Sequence, residues 1–408
     1  MPPPLSVDQA LRRILEGVEP LPAEPVAVEA AHRRTLAAPL AALLTQPPFD
    51  ASAMDGYAVR AGDVASLPAT LAVIGQAAAG HPFSGSLAAG QAVRIFTGAP
   101  VPDGADAIVI QENTVAADGI VRVVDGTAPP GRYVRPAGLD FDEGEVLLES
   151  GRALTARDLG LAAAMNVPWL KVRRKPRIAL LATGDEVVMP GDPIGRHQIV
   201  SSNGLSLAGF VRAWGGEPID LGIALDEEDS LRTMSRGAKG ADLLVTTGGA
   251  SVGDHDLVQK VLGKEGLEVD FWKIAMRPGK PLIFGRMGAT PLLGLPGNPV
   301  SAMVCATIYL GPAMRRMLGV AEKVQPDATA ALAVALPEND EREDYLRATL
   351  SYRTDGRLEA RPFQTQDSSM FSRMAHADCL IVRPPHAPAA PAGATVTIIP
   401  LGGGIVSV

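Results

Sequence analysis

The sequence is poor in the residues that build several common functions. Aromatic side chains make up only 4% of its 408 residues, too few for the base-stacking platform that single-stranded nucleic acid requires. There is no basic surplus: 37 Lys and Arg stand against 45 Asp and Glu, a formal net charge of -8, whereas duplex binding usually leaves a basic footprint. The two cysteines, Cys305 and Cys379, are far apart, and the six histidines are scattered, so neither a disulfide framework nor a structural zinc is expected. The most apolar helical stretch, Val300 to Leu310, is too short to span a bilayer. The first residues, MPPPLSVDQALRRILEGVEP, lack the basic-then-apolar layout of a signal peptide. The expectation is a cytoplasmic protein that binds neither nucleic acid nor membrane.

What is present is ample core material and many turns. Apolar residues are 47% of the chain, and 43 Gly and 35 Pro recur with no short period, which argues for turns rather than collagen or disorder. The length predicts two to four domains. Ser6 caps a helical pattern, with Val7, Ala10, Leu11, Ile14 and Leu15 on one face. A second helical pattern over Val28 to Leu44 is broken or kinked at Pro39. From Phe49 to about Arg135, short β-type runs separated by Gly, Pro and Asp turns predict a β-rich module. Thr155 then precedes another capped helix. The segment KVRRKP, Lys171 to Pro176, reads as a hinge.

Beyond it, strands and helices alternate, which predicts a mostly parallel sheet covered on both faces. β runs return from about Ala328. The expected fold is multidomain α+β. Residues 1–48 plus 138–175 form a discontinuous helical N-terminal/linker domain, its helices packed together, and 49–137 an inserted β-rich domain. Residues 176–324 form a three-layer α/β domain, and 325–408 a C-terminal, barrel-like β domain.

Ligands of open α/β sheets bind at the carboxyl ends of the strands. Three Gly-rich motifs fall there: Thr183-Gly184-Asp185-Glu186, the run Thr246 to Asp254 containing Thr247, Gly248, Gly249 and Ser251, and Gly294-Leu295-Pro296-Gly297-Asn298-Pro299. Glycines let backbone N–H groups approach a ligand, and a helix N-terminus favours an anion. Singly, each is an ordinary turn; three on one sheet, two with carboxylates beside them, point to an anion site. It is not a P-loop, because Pro281 follows Lys280 where Ser or Thr is required. Lys273, Arg277 and Lys280 gather three cations around Pro278-Gly279, a chemistry suited to phosphate or another oxyanion. Glu186, Asp226, Asp254 and Asp256 follow predicted strands; they are either helix caps and solvated acids or partners of a hard cation such as Mg²⁺.

The motifs SAMDGYAV, FTGAPVPDGADAIV, TGDE, TTGGASVGDHD, RPGKP and GLPGNPVSA occur in the order seen in the MoeA family, to which the E domain of gephyrin belongs. The chain resembles that family over essentially its whole length. The resemblance implies an elongated four-domain protomer and a homodimer with each site near the interface. It implies a Mg²⁺-dependent molybdopterin molybdenumtransferase reaction, in which molybdate replaces the adenylyl group of adenylyl-molybdopterin and AMP leaves. Transient contact with other molybdenum cofactor enzymes is also implied.

By residue, the family's functional positions fall on Asp55 and Thr97 in the β module, on Asp140, and on Glu186, Asp226 and Asp256 in the α/β domain. Lys273 and Arg277 match basic positions, and Pro296 and Pro299 the shaped turn. Arg277, Pro278, Arg347 and Ser368 would line a molybdate pocket, with Ser201 and Asn203 near the nucleotide. Glu186 and Asp256 match the acids near the metal, with Asp254 as a rival ligand. Arg277 stands where many members carry Lys, and Leu139 where Glu is common. Two other readings stay open: the related adenylyltransferase, which shares the TTGG turn, and a gephyrin-like scaffold.

Overall fold

A computed structural model of the chain describes residues 4–248, 257–264, 266–321 and 328–402. At its centre six strands pair in one sheet: β1 (Arg177–Thr183), β2 (Glu217–Ala224), β3 (Leu243–Thr247), β4 (Leu267–Lys273), β5 (Pro281–Met287) and β6 (Thr290–Leu295). Their order is β2-β1-β3-β6-β5-β4. The first four run parallel, and β5 is antiparallel to both its neighbours, β6 and β4. The parallel strands β1 and β3 are nearly continuous apolar runs with buried side chains, as expected when helices cover both faces. Two separate apolar clusters line those faces: Ile178, Leu180, Val245 and Leu293 on one, Ala179, Leu181, Leu244 and Leu292 on the other. The period-2 alternation of a strand makes that split.

The long helical segment after β6 runs from Pro299–Cys305 through a π-helical turn, Ala306–Leu310, into Gly311–Met317. The π turn precedes Pro312, whose ring cannot follow a regular α-helical turn.

Three expectations about the first 175 residues change. The helix Val7–Glu16 forms with the expected capping box at Ser6 and Gln9, but it does not pack against Ala156–Ala164. Val7, Ala10 and Ile14 enter the α/β core beside Phe284 and Met314, and Leu5 bridges to Ile274. Residues 28–44 are not helical beyond the single turn Val28–Ala30. Arg33 adopts a left-handed backbone, φ 62°, and the amides of Leu36 and Ala37 bond the carbonyls of Arg152 and Lys171 instead of their own preceding turn. Nor is Lys171–Pro176 a hinge throughout: Trp169–Arg173 is a strand paired antiparallel with Ala23–Ala27.

The stretch between Phe49 and Arg135 is β-rich, with a six-stranded sheet running from Gly56–Val59 to Ile120–Val123. At the C-terminal end, β7 (Thr329–Leu332), β8 (Glu343–Tyr352), β9 (Leu358–Pro362), β10 (Cys379–Arg383) and β11 (Thr395–Pro400) close into a barrel in the order β8-β9-β7-β11-β10, with β10 returning to β8. Met276–Arg277, just after β4, pairs with Glu343 and Asp344 at the edge of this barrel. The two domains are therefore stitched at the RPGKP turn.

Candidate functional site

Three of the four parallel strands, β1, β3 and β6, are neighbours, so their C-terminal turns emerge side by side. Gly184, at φ 135°, leaves room that a Cβ could not: it would sit 2.4 Å from the Glu186 carboxylate. Gly248, at φ 88°, would place a Cβ 2.5 Å from the Thr183 carbonyl oxygen, and Gly297 lies 3.5 Å from the Gly248 Cα by the same measure. At Gly248 backbone is thus brought against backbone, which only glycine permits.

These turns line a cleft of about 600 Å³. Thr183, Glu186, Thr247, Gly248, Pro296, Gly297, Asn298 and Pro299 belong to its wall, as do Ser201 and Asn203. Asn203 donates from its side-chain amide to the Gly297 carbonyl at 2.8 Å, joining the start of helix Asn203–Ala213 to the turn after β6. Five wall residues carry no signal in the sequence: Val187, Ile199 and Val200, of which the last two belong to a strand pairing in parallel with Val187 and Val188 to form a small flap, and Ser202 and Ser369. Nothing in the local pattern of Ile199 and Val200 distinguishes a flap from a loop; Ser369 lies next to a residue that was chosen.

The barrel reaches the same cleft through the segment after β9. The Asn298 side chain donates to Ser368 Oγ at 2.9 Å, and the Val300 amide donates to the Ser368 carbonyl at 3.2 Å. Asp367 holds this strap in shape by accepting from the amide (2.8 Å) and the hydroxyl (2.6 Å) of Ser369, which keep its carboxyl below the usual range. Arg347 on β8 is 1% exposed and donates to the Asp367 carbonyl at 3.0 Å. Its Nε is buried with no partner among the described residues.

Acids crowd the mouth on the β1–β2 side. The Asp226 amide donates to the Asp185 carboxylate at 2.9 Å. Burial, then repulsion from Asp185 and Glu186, raises the Asp226 carboxyl above its ordinary value. Among the described residues no three His, Cys, Asp or Glu side chains form a metal cage. Gly249, Ser251, Asp254 and Asp256 lie outside the described residues.

The cationic turn is arranged differently from the simple convergence expected. None of Lys273, Arg277, Pro278 and Lys280 is among the cleft's lining residues. The Lys273 ammonium lies 4.1 Å from the centroid of the Trp272 ring. The Arg277 guanidinium pairs with Asp344 and with Asp340 (3.1 Å) and donates to Asn339 (3.3 Å), beside a separate cavity of about 370 Å³ under the barrel. Burial holds the Asp344 carboxyl above its ordinary range even though Arg277 opposes that shift.

Asp55 and Thr97 meet in the β module, 42 residues apart in sequence. Asp55 Oδ1 accepts from both the amide and the hydroxyl of Thr97 at 2.8 Å. These two bonds, with a smaller contribution from the charge of Arg94, hold the exposed carboxyl below its ordinary value. Asp140 lines a different hollow of about 350 Å³ with Gly98 and Arg135. Asp55, Thr97 and Asp140 do not line the α/β cleft of their own chain.

Comparison with known proteins accounts for this assembly. The MoeA N-terminal region (domain I and II) matches residues 5–166, a probable molybdopterin binding domain matches 179–316, and the MoeA C-terminal region (domain IV) matches 329–401. The molybdopterin molybdenumtransferase of Haemophilus influenzae is 36% identical over 97% of this chain and 98% of its own length. That of a Nostoc species is 39% identical over 73% of this chain and 70% of its own. A crystal structure of a molybdopterin biosynthesis MoeA protein from Pyrococcus horikoshii superposes with a TM-score of 0.85 at 31% identity, covering 98% of this chain and 100% of that one. With its strand-end cleft, its inserted β module and its C-terminal barrel, the chain belongs to the MoeA family.

Proposed function

We propose that this chain is a cytoplasmic molybdopterin molybdenumtransferase: it accepts adenylyl-molybdopterin and molybdate, inserts the metal, and releases AMP. The observation that carries the reading is the cleft in which three Gly-rich strand ends meet the Asn298–Ser368 bond from the barrel. Relatives named molybdopterin molybdenumtransferase support the metal transfer, and the adenylyl group and AMP follow from the family resemblance. The domain division given above, with Val7–Glu16 moved to the α/β unit, is part of the proposal.

In this reading the Thr247-Gly248 and Pro296-Gly297 turns lay backbone against the substrate's phosphates, bare at Gly248 because a side chain would not fit there. Ser201 and Asn203 flank the nucleotide. Arg347 and Ser368 receive the oxyanion: a buried guanidinium nitrogen lacking a protein partner has the chemistry for it, since Arg geometry suits oxyanions. Lys273 and Arg277 add positive charge around the turn that joins the two domains.

The donor set suits Mg²⁺, which binds through one or two carboxylates plus phosphate oxygens rather than through an all-protein cage. Glu186, with Asp226 and Asp185 beside it, would hold it; Asp256 is the further candidate. When bound it would neutralise the pyrophosphate charge. Burial and then the charges of Asp185 and Glu186 raise the Asp226 carboxyl, and a cation would relieve the second of these. Cys305 and Cys379 are buried, with burial pushing the Cys305 thiol well up and the Cys379 thiol up to about 12. Neither suits a nucleophile, so catalysis rests on positioning and charge.

In the homodimer that the family resemblance implies, Asp55, Thr97 and Asp140 would act from the partner, and their absence from the cleft lining of their own chain supports this. The test supplies purified protein with adenylyl-molybdopterin, Mg²⁺ and molybdate, and measures AMP together with reconstitution of an apo-molybdoenzyme. Molybdate-dependent release of AMP with active cofactor is expected. Adenylylation of molybdopterin by ATP, with no molybdate-dependent step, would overturn the reading in favour of the adenylyltransferase.

A further inference from the structure

A second cavity, of about 350 Å³, lies where residues 32–35 and 153–155 meet the α/β domain at residues 213–215 and 315–320. Its charge is one-sided. Arg33, Arg315 and the imidazole of His32 line it, and no Asp or Glu is among its described lining residues. In a chain of net charge -8 that is a local inversion. The guanidinium groups of Arg33 and Arg315 have no hydrogen-bond or ion-pair partner among the described residues, although this protein pairs arginines freely elsewhere. Arg33 is also held at φ 62°, a left-handed conformation that a branched or long side chain adopts only where its surroundings impose it.

The interior of the cavity adds a second observation. Thr35 is 1% exposed and lines it, so a hydroxyl stands in the wall. Trp214 also lines the cavity, stacked on Phe210 at 5.6 Å and backed by Gly311, where a Cβ would come within 3.0 Å of the indole. The ring is fixed, and Leu318 continues the apolar floor.

A packed aromatic wall, a lining hydroxyl, and cations with no partner among the described residues describe a binding site for a small aromatic anion. We propose that this seam binds such a ligand, its ring against Trp214 and its phosphate or carboxylate between Arg33 and Arg315. The volume is within the range of small-molecule pockets. The site lies apart from the strand-end cleft: the two share no lining residue. It therefore stands whether or not the proposed transferase reaction does.

The test uses the full chain carrying Trp169→Phe and Trp272→Phe, so that Trp214 alone reports. Phenyl phosphate is titrated, with phenol and inorganic phosphate as the ring-only and charge-only controls. A saturable change in Trp214 fluorescence is expected with phenyl phosphate, and weaker binding of both controls. Arg33→Asn, which tolerates the left-handed backbone, and Arg315→Gln, which keeps the helix, should each weaken binding about ten-fold. Thr35→Val should weaken it while preserving shape. No saturable change at millimolar ligand overturns the proposal. So does unaltered affinity in both arginine variants, or equal binding of inorganic phosphate.

Discussion

Replacing Gly248 with alanine tests the strand-end geometry directly. The residue sits at φ 88°, and an added Cβ would stand 2.5 Å from the Thr183 carbonyl oxygen and 2.9 Å from the Thr183 hydroxyl. The left-handed backbone alone costs an L-residue roughly 1–2 kcal/mol. The contact cannot be relieved by rotating a side chain, because the nearer atom is backbone; the end of β1 or of β3 must move. A displacement approaching 1 Å at a positioning element lowers rates about 10²-fold. Gly248→Ala should thus lower the thermal midpoint and cut molybdate-dependent AMP release by about two orders of magnitude, with the far-ultraviolet dichroism retained. Gly297→Ala is the control: its Cβ would meet Gly248 at 3.5 Å, ordinary contact, so its midpoint should stay near that of the parent. Parental midpoint and rate in Gly248→Ala would refute the argument that these turns need bare backbone.

Other perturbations read other parts of the site. The Asp226 carboxyl is raised, so its ionised form costs the native state stability that is present below the unfolded carboxyl pKa and is lost as pH rises through the folded one. Asp226→Asn should raise the thermal midpoint at pH 7 while lowering AMP release; a fall in midpoint would contradict the crowding. Asp55 is shifted the opposite way: Thr97→Val should return its carboxyl toward the ordinary range, read by NMR titration, since the larger causes are the two Thr97 bonds, of which the variant removes one. Arg277→Lys replaces a fork that reaches Asp344, Asp340 and Asn339 with a single ammonium beside a carboxylate whose side chain is 5% exposed, and should cost about 1–3 kcal/mol in denaturant unfolding. Mixing Asp55→Ala and Glu186→Ala protomers, each inactive alone, should restore part of the activity if the two residues act across a dimer.

The central sheet was legible in the sequence because its signals are local. Runs such as Arg177–Thr183 and Leu243–Thr247 are apolar throughout, are bounded by glycines, and alternate with helical periods, so their parallel pairing follows from the need to cover both faces. The glycines at positions 184, 248 and 297 announced turns for the same reason: each side chain is absent where backbone must turn or approach.

The first 48 residues were less legible. The apolar spacing of Val28 to Leu44 fits a helix, but its amides find partners on the segments around Arg152 and Lys171, more than a hundred residues away. The face of Val7–Glu16 was read correctly, yet which core it would enter depends on a groove built by Phe284 and Met314. Strand β9, Leu358–Pro362, carries too many charges to stand out and exists because the barrel needs it to close. Sequence thus determined the elements of the central sheet, its turns and the chemical kinds of residue at the strand ends. Tertiary structure alone decided partners: that Arg277 faces Asp344 and Asp340 rather than the cleft, that Asn298 meets Ser368, and that Asp55 meets Thr97. Composition and period act over one or two turns of chain, whereas each of these pairings is set by packing between segments that the sequence keeps far apart.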